Sequence, residues 1–208
     1  MFLFNPKIFE QESLADAKSI ILTAESGVST EERWNTETPW LLSLIGQYVK
    51  PQGLVIDYGC GVGRLAKPMV DNGSSVIGVD ESSAMREHAT SFVANNRFVA
   101  MTPEMLEQLV KVGMQVDTVF AIWVLQHTYD LDGVIDKIHG SMKRGGVLVV
   151  ADMQHRAIPT NMGWIDDGKN VKELLSQKLT LIQQYAYDFD YAPSNLKKSS
   201  YVAFYRKD

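Results

Sequence analysis

LVIDYGCGVGRLAKPMV, Leu54 to Val70, sets Gly59, Gly61 and Gly63 between an apolar run and an amphipathic one. Its first five residues have the length and β-branched content of a strand buried on both faces, and the segment from about residue 64 has helical spacing. Glycine lets the chain turn with positive φ and lets a ligand touch the main chain, and the unpaired N–H groups that open the next helix attract an anionic group. Three glycines between strand and helix therefore mark either a tight turn alone or a turn that admits a ligand.

Working outward, the short Val/Ile-rich run recurs as SVIGVD (75–80), RFVAM (97–101), DTVFAIWV (117–124) and GVLVVAD (146–152). Helical patterns at 64–72, 82–94, 103–112 and 131–142 alternate with these runs, which predicts βαβ units and a parallel sheet, hence an α/β fold. Thr102 reads as a cap with Pro103 at the first helical position. Leu131, Val134, Ile135 and Ile138 recur at helical spacing, with Gly145 as the stop. After residue 153, DGKNVKELLSQK reads as a helix, and LTLIQQYAYDFDY and SSYVAFYRK as a hairpin joined by the turn-rich APSNLKK. Before residue 54, SLADAKSIILTA and TPWLLSLIGQYVK read as helices separated by polar ESGVSTEERWNTE. One domain over 1–208 is expected, with a helical cap over about 1–50, a ligand-binding core over 54–152 and a C-terminal helix and hairpin over 153–208.

Hydrophobic residues make up 45% and charged residues 22%, and no run of about 18 apolar residues occurs, so a soluble protein with no membrane partner is expected. The opening MFLFNPKIFEQESLADAK lacks a basic leader and a long apolar stretch, and the lone Cys60 has no disulfide partner, which together predict a cytoplasmic location. A net charge of -5, with basic pairs scattered at Lys143-Arg144, Lys197-Lys198 and Arg206-Lys207, argues against a nucleic-acid partner. No grouping of His, Asp and Glu has metal-ligand spacing, so no metal is expected.

Two ligands use a glycine-rich turn after the first strand and an acidic residue closing the second: a dinucleotide and S-adenosylmethionine. The dinucleotide fingerprint needs a third small residue where this chain has Arg64. VIDYGCGVG instead resembles the first motif of the class I S-adenosylmethionine-dependent methyltransferases, an apolar run, an acidic residue and GxGxG. The resemblance extends through VIGVDESSAM, VDTVFAIWVLQHT and GGVLVVAD, over roughly residues 54 to 152. It implies a Rossmann-like three-layer sandwich whose seven-stranded, mostly parallel sheet has order 3-2-1-4-5-7-6, with strand 7 antiparallel. It further implies that S-adenosyl-L-methionine is bound, with its methionine end around Asp57, Gly59, Cys60, Gly61 and Gly63 and its ribose hydroxyls on Asp80. Glu81, Met85, Ile122 and Trp123 complete the expected cofactor wall. The chain departs from the family after the third strand, where Met101 and Thr102 replace the usual acidic residue, so Met101 is expected on the adenine face with Thr102 beside it and with Glu104 or main-chain groups bonding the adenine edge. Asp80 equally reads as a helix cap, and Cys60 as a small filler of the turn.

His127 follows the fourth strand where the transferred methyl is expected, and reads as a general base or as a residue that holds the loop. Trp34, Gln126, His155 and Trp164 are the other candidates for the acceptor site; Trp34 reads either as closing over the cofactor or substrate with Arg33 or as stapling the cap to the sheet with Trp40, which reads as a packing residue. Tyr185, Tyr187, Phe189 and Tyr191 alternate as one face of a strand does. The reaction expected from the resemblance is in-line methyl transfer to a small-molecule acceptor, leaving S-adenosyl-L-homocysteine. Methylation of protein or RNA, a non-catalytic cofactor-binding module and an NAD-dependent oxidoreductase are the alternatives.

Overall fold

A computed structural model describes residues 2–50 and 52–208, leaving Met1 of the expected cap and Pro51 outside the described residues. After a 3-10 turn at Pro6–Phe9, helices α1 (Leu14–Ile21) and α2 (Thr30–Ile45) precede the sheet. The core then alternates β1 (Leu54–Tyr58), α3 (Ala66–Asp71), β2 (Ser75–Val79), α4 (Ser83–Val93), β3 (Phe98–Met101), α5 (Pro103–Lys111) and β4 (Val116–Ile122). Helix α6 (Leu131–Ser141) leads into β5 (Met142–Met153), and a small hairpin follows, β6 (Ile158–Thr160) and β7 (Gly163–Ile165). The chain closes with α7 (Val171–Ser176), β8 (Thr180–Ala186), α8 (Ser194–Ser199) and β9 (Ser200–Arg206).

The sheet order is β3-β2-β1-β4-β5-β9-β8, with β1 to β5 parallel and β9 antiparallel to both neighbours. Because β6 and β7 form a separate two-stranded sheet, this is the expected 3-2-1-4-5-7-6 order. The Val/Ile runs are explained by burial on both sides. Ile56, Val119, Leu148 and Val150 face a layer containing Leu106, Ile138 and Leu175, while Val55, Phe120, Val149 and Ala151 face Leu41, Ile45, Ala66 and Val70. Each such side chain removed from water contributes about 1.5–3 kcal/mol, which fixes the register of the strands.

Three local expectations need correction. Helix α2 begins eight residues before the apolar TPWLLSLI segment, because Ser29 and Glu32 form a capping box: the Glu32 N–H donates to Ser29 Oγ and the Ser29 N–H to Glu32 Oε2. Helix α6 ends at Ser141 without needing Gly145, which lies within the extended start of β5 and donates its N–H to the Lys207 carbonyl. The aromatic alternation does not continue a strand, since β8 ends at Ala186. Tyr187 turns inward between Trp40 and Trp123, Phe189 stacks on Trp40 at 4.7 Å, and Tyr191 is exposed. No helix among the described residues is long and apolar enough to cross a membrane.

Candidate functional site

The carboxyl ends of β1, β2 and β4 open into a cavity of about 580 Å³, within the range of about 300–1,000 Å³ usual for small-molecule sites. Its floor is the turn after β1. Gly59 and Cys60 donate their N–H groups to the Val79 carbonyl at 2.6 and 3.0 Å, and Gly61 donates to Asp80 Oδ2 at 2.9 Å. Gly59 has φ +75°, and a Cβ there would lie 2.1 Å from Val124 Cγ2. Gly59, Cys60 and Gly61 line the cavity, but Gly63 does not. Gly63 faces α4, where a Cβ would meet Val93 at 2.6 Å, so its smallness serves helix packing rather than the ligand.

Asp57 and Asp80 both border this floor. Burial pushes the Asp57 carboxyl up to about 8; the Arg64 charge opposes the shift and Asp80 adds to it. Asp80 is pushed up to about 6 by burial, opposed by the Gly61 and Ser82 N–H groups that its two oxygens accept at 2.9 and 3.0 Å. One bond on each oxygen leaves a lone pair on each for a further donor. The cap of α4 is Ser82, whose Oγ accepts the Met85 N–H at 3.0 Å, so Asp80 is not spent on that role.

Glu81, Met85, Ile122 and Trp123 also line the cavity. Met101 and Thr102 do not: Met101 is buried in the core, and Thr102 turns to cap α5 by accepting the Met105 N–H. The wall there belongs to Pro103 and Glu104 instead, the first two residues of the helix that opens at the carboxyl edge of β3.

Behind Trp123 lies a charge network that sequence patterning missed. Glu37 is fully buried and accepts from Arg33 at 2.9 Å, Arg64 at 3.1 Å, the Trp123 ring N–H at 2.7 Å and the Tyr187 hydroxyl. Burial pushes the Glu37 carboxyl up, but Arg64 and Arg33 outweigh it and hold it below its ordinary value. The network fixes Trp123, whose φ of +62° is left-handed backbone that a tryptophan adopts only under constraint. Arg33 and Glu37 stand four apart on α2, which was the available signal, yet the same pair on a solvated helix face would look identical in sequence.

His127 lines the cavity with both ring nitrogens engaged. The Met153 N–H donates to Gln126 Oε1 at 2.8 Å, which orients the Gln126 amide so that its NH₂ donates to His127 Nε2 at 2.8 Å. His127 Nδ1 then carries the proton and donates it to the Ala157 carbonyl at 2.6 Å. Burial pushes the imidazole down to about 4, so the ring is neutral near pH 7. Gln126 thus sits behind the wall as the partner of His127. Buried Arg156 braces the same loop, donating to the Leu125 and Thr128 carbonyls at 3.0 and 2.6 Å and to both oxygens of Asp167.

The remaining acceptor-site candidates separate. Trp164, on β7, does not line the cavity but packs on two residues that do, 5.1 Å from the His127 ring and 6.3 Å from Phe9 by centroids. His155 is exposed and takes no part in the lining. Trp34 also lies outside it, packed edge-on against Phe92 with the Lys18 ammonium over its ring at 4.7 Å; it ties α2 to α4. In their place the N-terminal segment contributes Phe4, Pro6, Lys7, Phe9 and Glu10. This strap is held on one side by Glu10, which accepts the Ser83 and Ala84 N–H groups at the start of α4. On the other side the Asn161 N–H donates to the Leu3 carbonyl and the Asn5 N–H to that of Pro159. A segment without periodicity gave no sequence signal for it.

Residues 56–150 match the model of a family described as a methyltransferase domain. The ubiquinone biosynthesis O-methyltransferase of Chelativorans sp. (strain BNC1) is 33% identical over 98 residues, which is 47% of this chain and 39% of that protein. The match therefore spans about two fifths of the relative's length. A TehB-like S-adenosylmethionine-dependent methyltransferase from Corynebacterium glutamicum superposes with a TM-score of 0.60 at 17% identity, covering 80% of this chain and 86% of that one. The [4+2]-cyclase SpnF superposes with the same TM-score of 0.60 at 15% identity, covering 81% and 80%, so the shared fold carries more than one chemistry. Over residues 56–150, a little under half of the chain, the sequence is thus similar to a methyltransferase domain, and the sheet order around it is the one that the resemblance to class I S-adenosylmethionine-dependent methyltransferases implies.

Proposed function

We propose that this protein binds S-adenosylmethionine in the cavity and transfers its methyl group to a small-molecule acceptor. The observation that carries the reading is the pair Asp57 and Asp80, two carboxylates at the carboxyl edge of the sheet that are under-compensated by the protein itself. A cationic ligand relieves both, and the two lone pairs remaining on Asp80 suit a vicinal diol such as a ribose. When bound, S-adenosylmethionine supplies a methyl group on a positively charged sulfur, open to in-line attack.

The chain's own part is to bind, orient and exclude water. Gly59 and Gly61 admit the ligand against the main chain, Met85 and Ile122 supply apolar contact, and Trp123 is held rigid by Glu37. His127, with both nitrogens committed, orients the acceptor as a neutral wall and takes no proton from it. An acceptor atom that is nucleophilic without a strong base fits this wall, with rate gained through positioning. An NAD-dependent oxidoreductase fits less well, because Arg64 occupies the place of the third small residue and its guanidinium is bonded to Glu37 and Thr38.

Calorimetric titration with S-adenosylmethionine, S-adenosylhomocysteine and NAD in parallel tests this. Micromolar binding of the first two and none of NAD is the expected result. Binding of NAD alone, or of none of the three, refutes the reading.

A further inference from the structure

Asp152, at the carboxyl end of β5, is fully buried, and neither of its oxygens has a hydrogen-bond partner among the described residues. It does not line the cavity, so a ligand held there does not answer it. Alternation along β5 turns it to the face of Leu148 and Val150, in the core layer that includes Leu125, Val171 and Leu175. Tyr201 stands opposite it on β9, and the Tyr201 hydroxyl is also buried without a partner. Burial pushes the Asp152 carboxyl well above the ordinary carboxylate range; the Gln126 and Met153 N–H groups and the Arg156 charge oppose the shift without reaching hydrogen-bonding geometry. The Arg156 guanidinium is itself buried and engaged elsewhere, on both oxygens of Asp167 at 2.9 and 3.1 Å and on the Leu125 and Thr128 carbonyls. One N–H on its Nη1 is left over.

A single buried guanidinium thus has two carboxyls in its field, one bonded and partly exposed, the other buried and bare. We infer that Asp152 and Arg156 form a proton-operated latch behind the cavity wall: with the proton on Asp152 the guanidinium clamps Asp167 and the loop of Leu125 to Thr128, and loss of that proton to solvent draws the guanidinium to Asp152 and releases the chain around β6 and β7. A buried carboxylate without a cation is costly and a buried pair is tolerated, so ionised Asp152 competes for Arg156 with Asp167, whose charge water can solvate instead. The chain leading into β6 is tied to the same loop through Ala157, whose N–H donates to the Gln126 carbonyl and whose carbonyl accepts from His127 Nδ1, so release at Arg156 is felt at the His127 ring. The other titratable groups around Asp152 stay out of the exchange. Burial keeps Tyr201 and Tyr205 on β9 neutral, the Lys172 ammonium on α7 lies 4.8 Å over the Tyr201 ring, and His127 is already neutral. The latch is a property of the chain alone and needs no cofactor.

Hydrogen–deuterium exchange of residues 155–168, followed by mass spectrometry between about pH 6 and 10 and corrected for the intrinsic pH dependence of exchange, reads the latch. The carbon-13 shift of the Asp152 carboxyl reads its proton over the same range. Protection of the segment is expected to fall at least about tenfold as pH rises, with the midpoint of the carboxyl titration. Asp152→Asn keeps the neutral shape and should hold protection constant with pH, while Asp167→Asn, at a side chain that solvent reaches, should lower protection already at pH 6. Constant protection in the parent, a carboxyl midpoint more than about one pH unit from that of the exchange, or a pH-dependent loss that survives in Asp152→Asn overturns the inference. The two titrations of the parent decide it even where Asp152→Asn does not fold. None of these readouts requires S-adenosylmethionine, so failure of the latch and failure of the methyl-transfer reading are told apart.

Discussion

Replacing Asp57 by Asn should make the protein more stable and its cofactor binding weaker, with a pH signature that isolates the cause. Asp57 is 3% exposed, and its carboxyl sits at about 8 where an unfolded chain has about 3.9. A carboxyl whose pKa is raised on folding contributes its full stability below the unfolded value and loses it as pH rises towards the folded value. Between about pH 4 and 8 the native state holds a proton that the unfolded state has released, at about 1.4 kcal/mol per pH unit. The penalty is thus about 1–2 kcal/mol at pH 5 and roughly 4 kcal/mol at pH 7. Asn has the same shape and no titration, so the stability gap between Asp57→Asn and the parent should widen by about 3 kcal/mol over those two units, or roughly 6–12 °C in Tm for a chain of this length. Thermal melts of both proteins at pH 5, 6 and 7 measure it, and S-adenosylmethionine titration of the same samples should show at least tenfold weaker binding by the variant. Parallel melting curves whose separation ignores pH would refute the assignment of a desolvated charge at this position.

Three other perturbations address separate parts of the site. Glu37→Gln leaves Arg33 and Arg64 buried with a neutral partner, and urea denaturation should show a loss of about 3–5 kcal/mol; a loss below about 1 kcal/mol would mean that the network does not hold Trp123. The His127 ring should show no titration between pH 5.5 and 8.5 by NMR, and its nitrogen shifts should report a proton on Nδ1; a midpoint near 6.5 would restore it as a base. Glu10→Gln removes a charge that accepts two N–H groups at the start of α4, and stopped-flow dissociation of S-adenosylhomocysteine should accelerate about tenfold, whereas an unchanged rate would mean that the strap does not retain the ligand.

What could be read in the sequence divides along a physical line. Strands β1 to β5 were legible because a strand buried on both faces must be an apolar β-branched run, and the glycine turn was legible because a backbone demand excludes side chains. The offset from Met101 and Thr102 to Pro103 was not, although Glu104 was open to reading as a partner of the same ligand edge, since where a strand ends decides which residues reach the cavity, and neither strand propensity nor capping fixes that end to within a residue. Trp34 read equally as a packing residue, which it is, and His155 was chosen by chemical type at a plausible place, but packing against Phe92 and exposure to solvent are settled by tertiary structure alone. The strap is held by backbone hydrogen bonds, which any residue makes, so it left no pattern.

The two buried carboxylates show most clearly what sequence leaves out and why the cavity points to its ligand. Glu37 and Asp57 are both removed from water, and either would be costly without a cation. Glu37 has two guanidiniums and two further donors, so its charge is answered within the fold and it can serve only as scaffold. Asp57 lines the cavity with only the field of Arg64, which is already bonded to Glu37 and Thr38, and with Asp80 adding to the strain. One letter reads as an acid in a polar helix and the other as the acid of a glycine motif, yet the distinction that matters is which of them the fold leaves unanswered. On the proposed reading, a structure that compensates one buried carboxylate four times over and leaves the other facing the cavity receives its second cation from the ligand. That is the property a positively charged sulfonium cofactor supplies and a dinucleotide pyrophosphate does not.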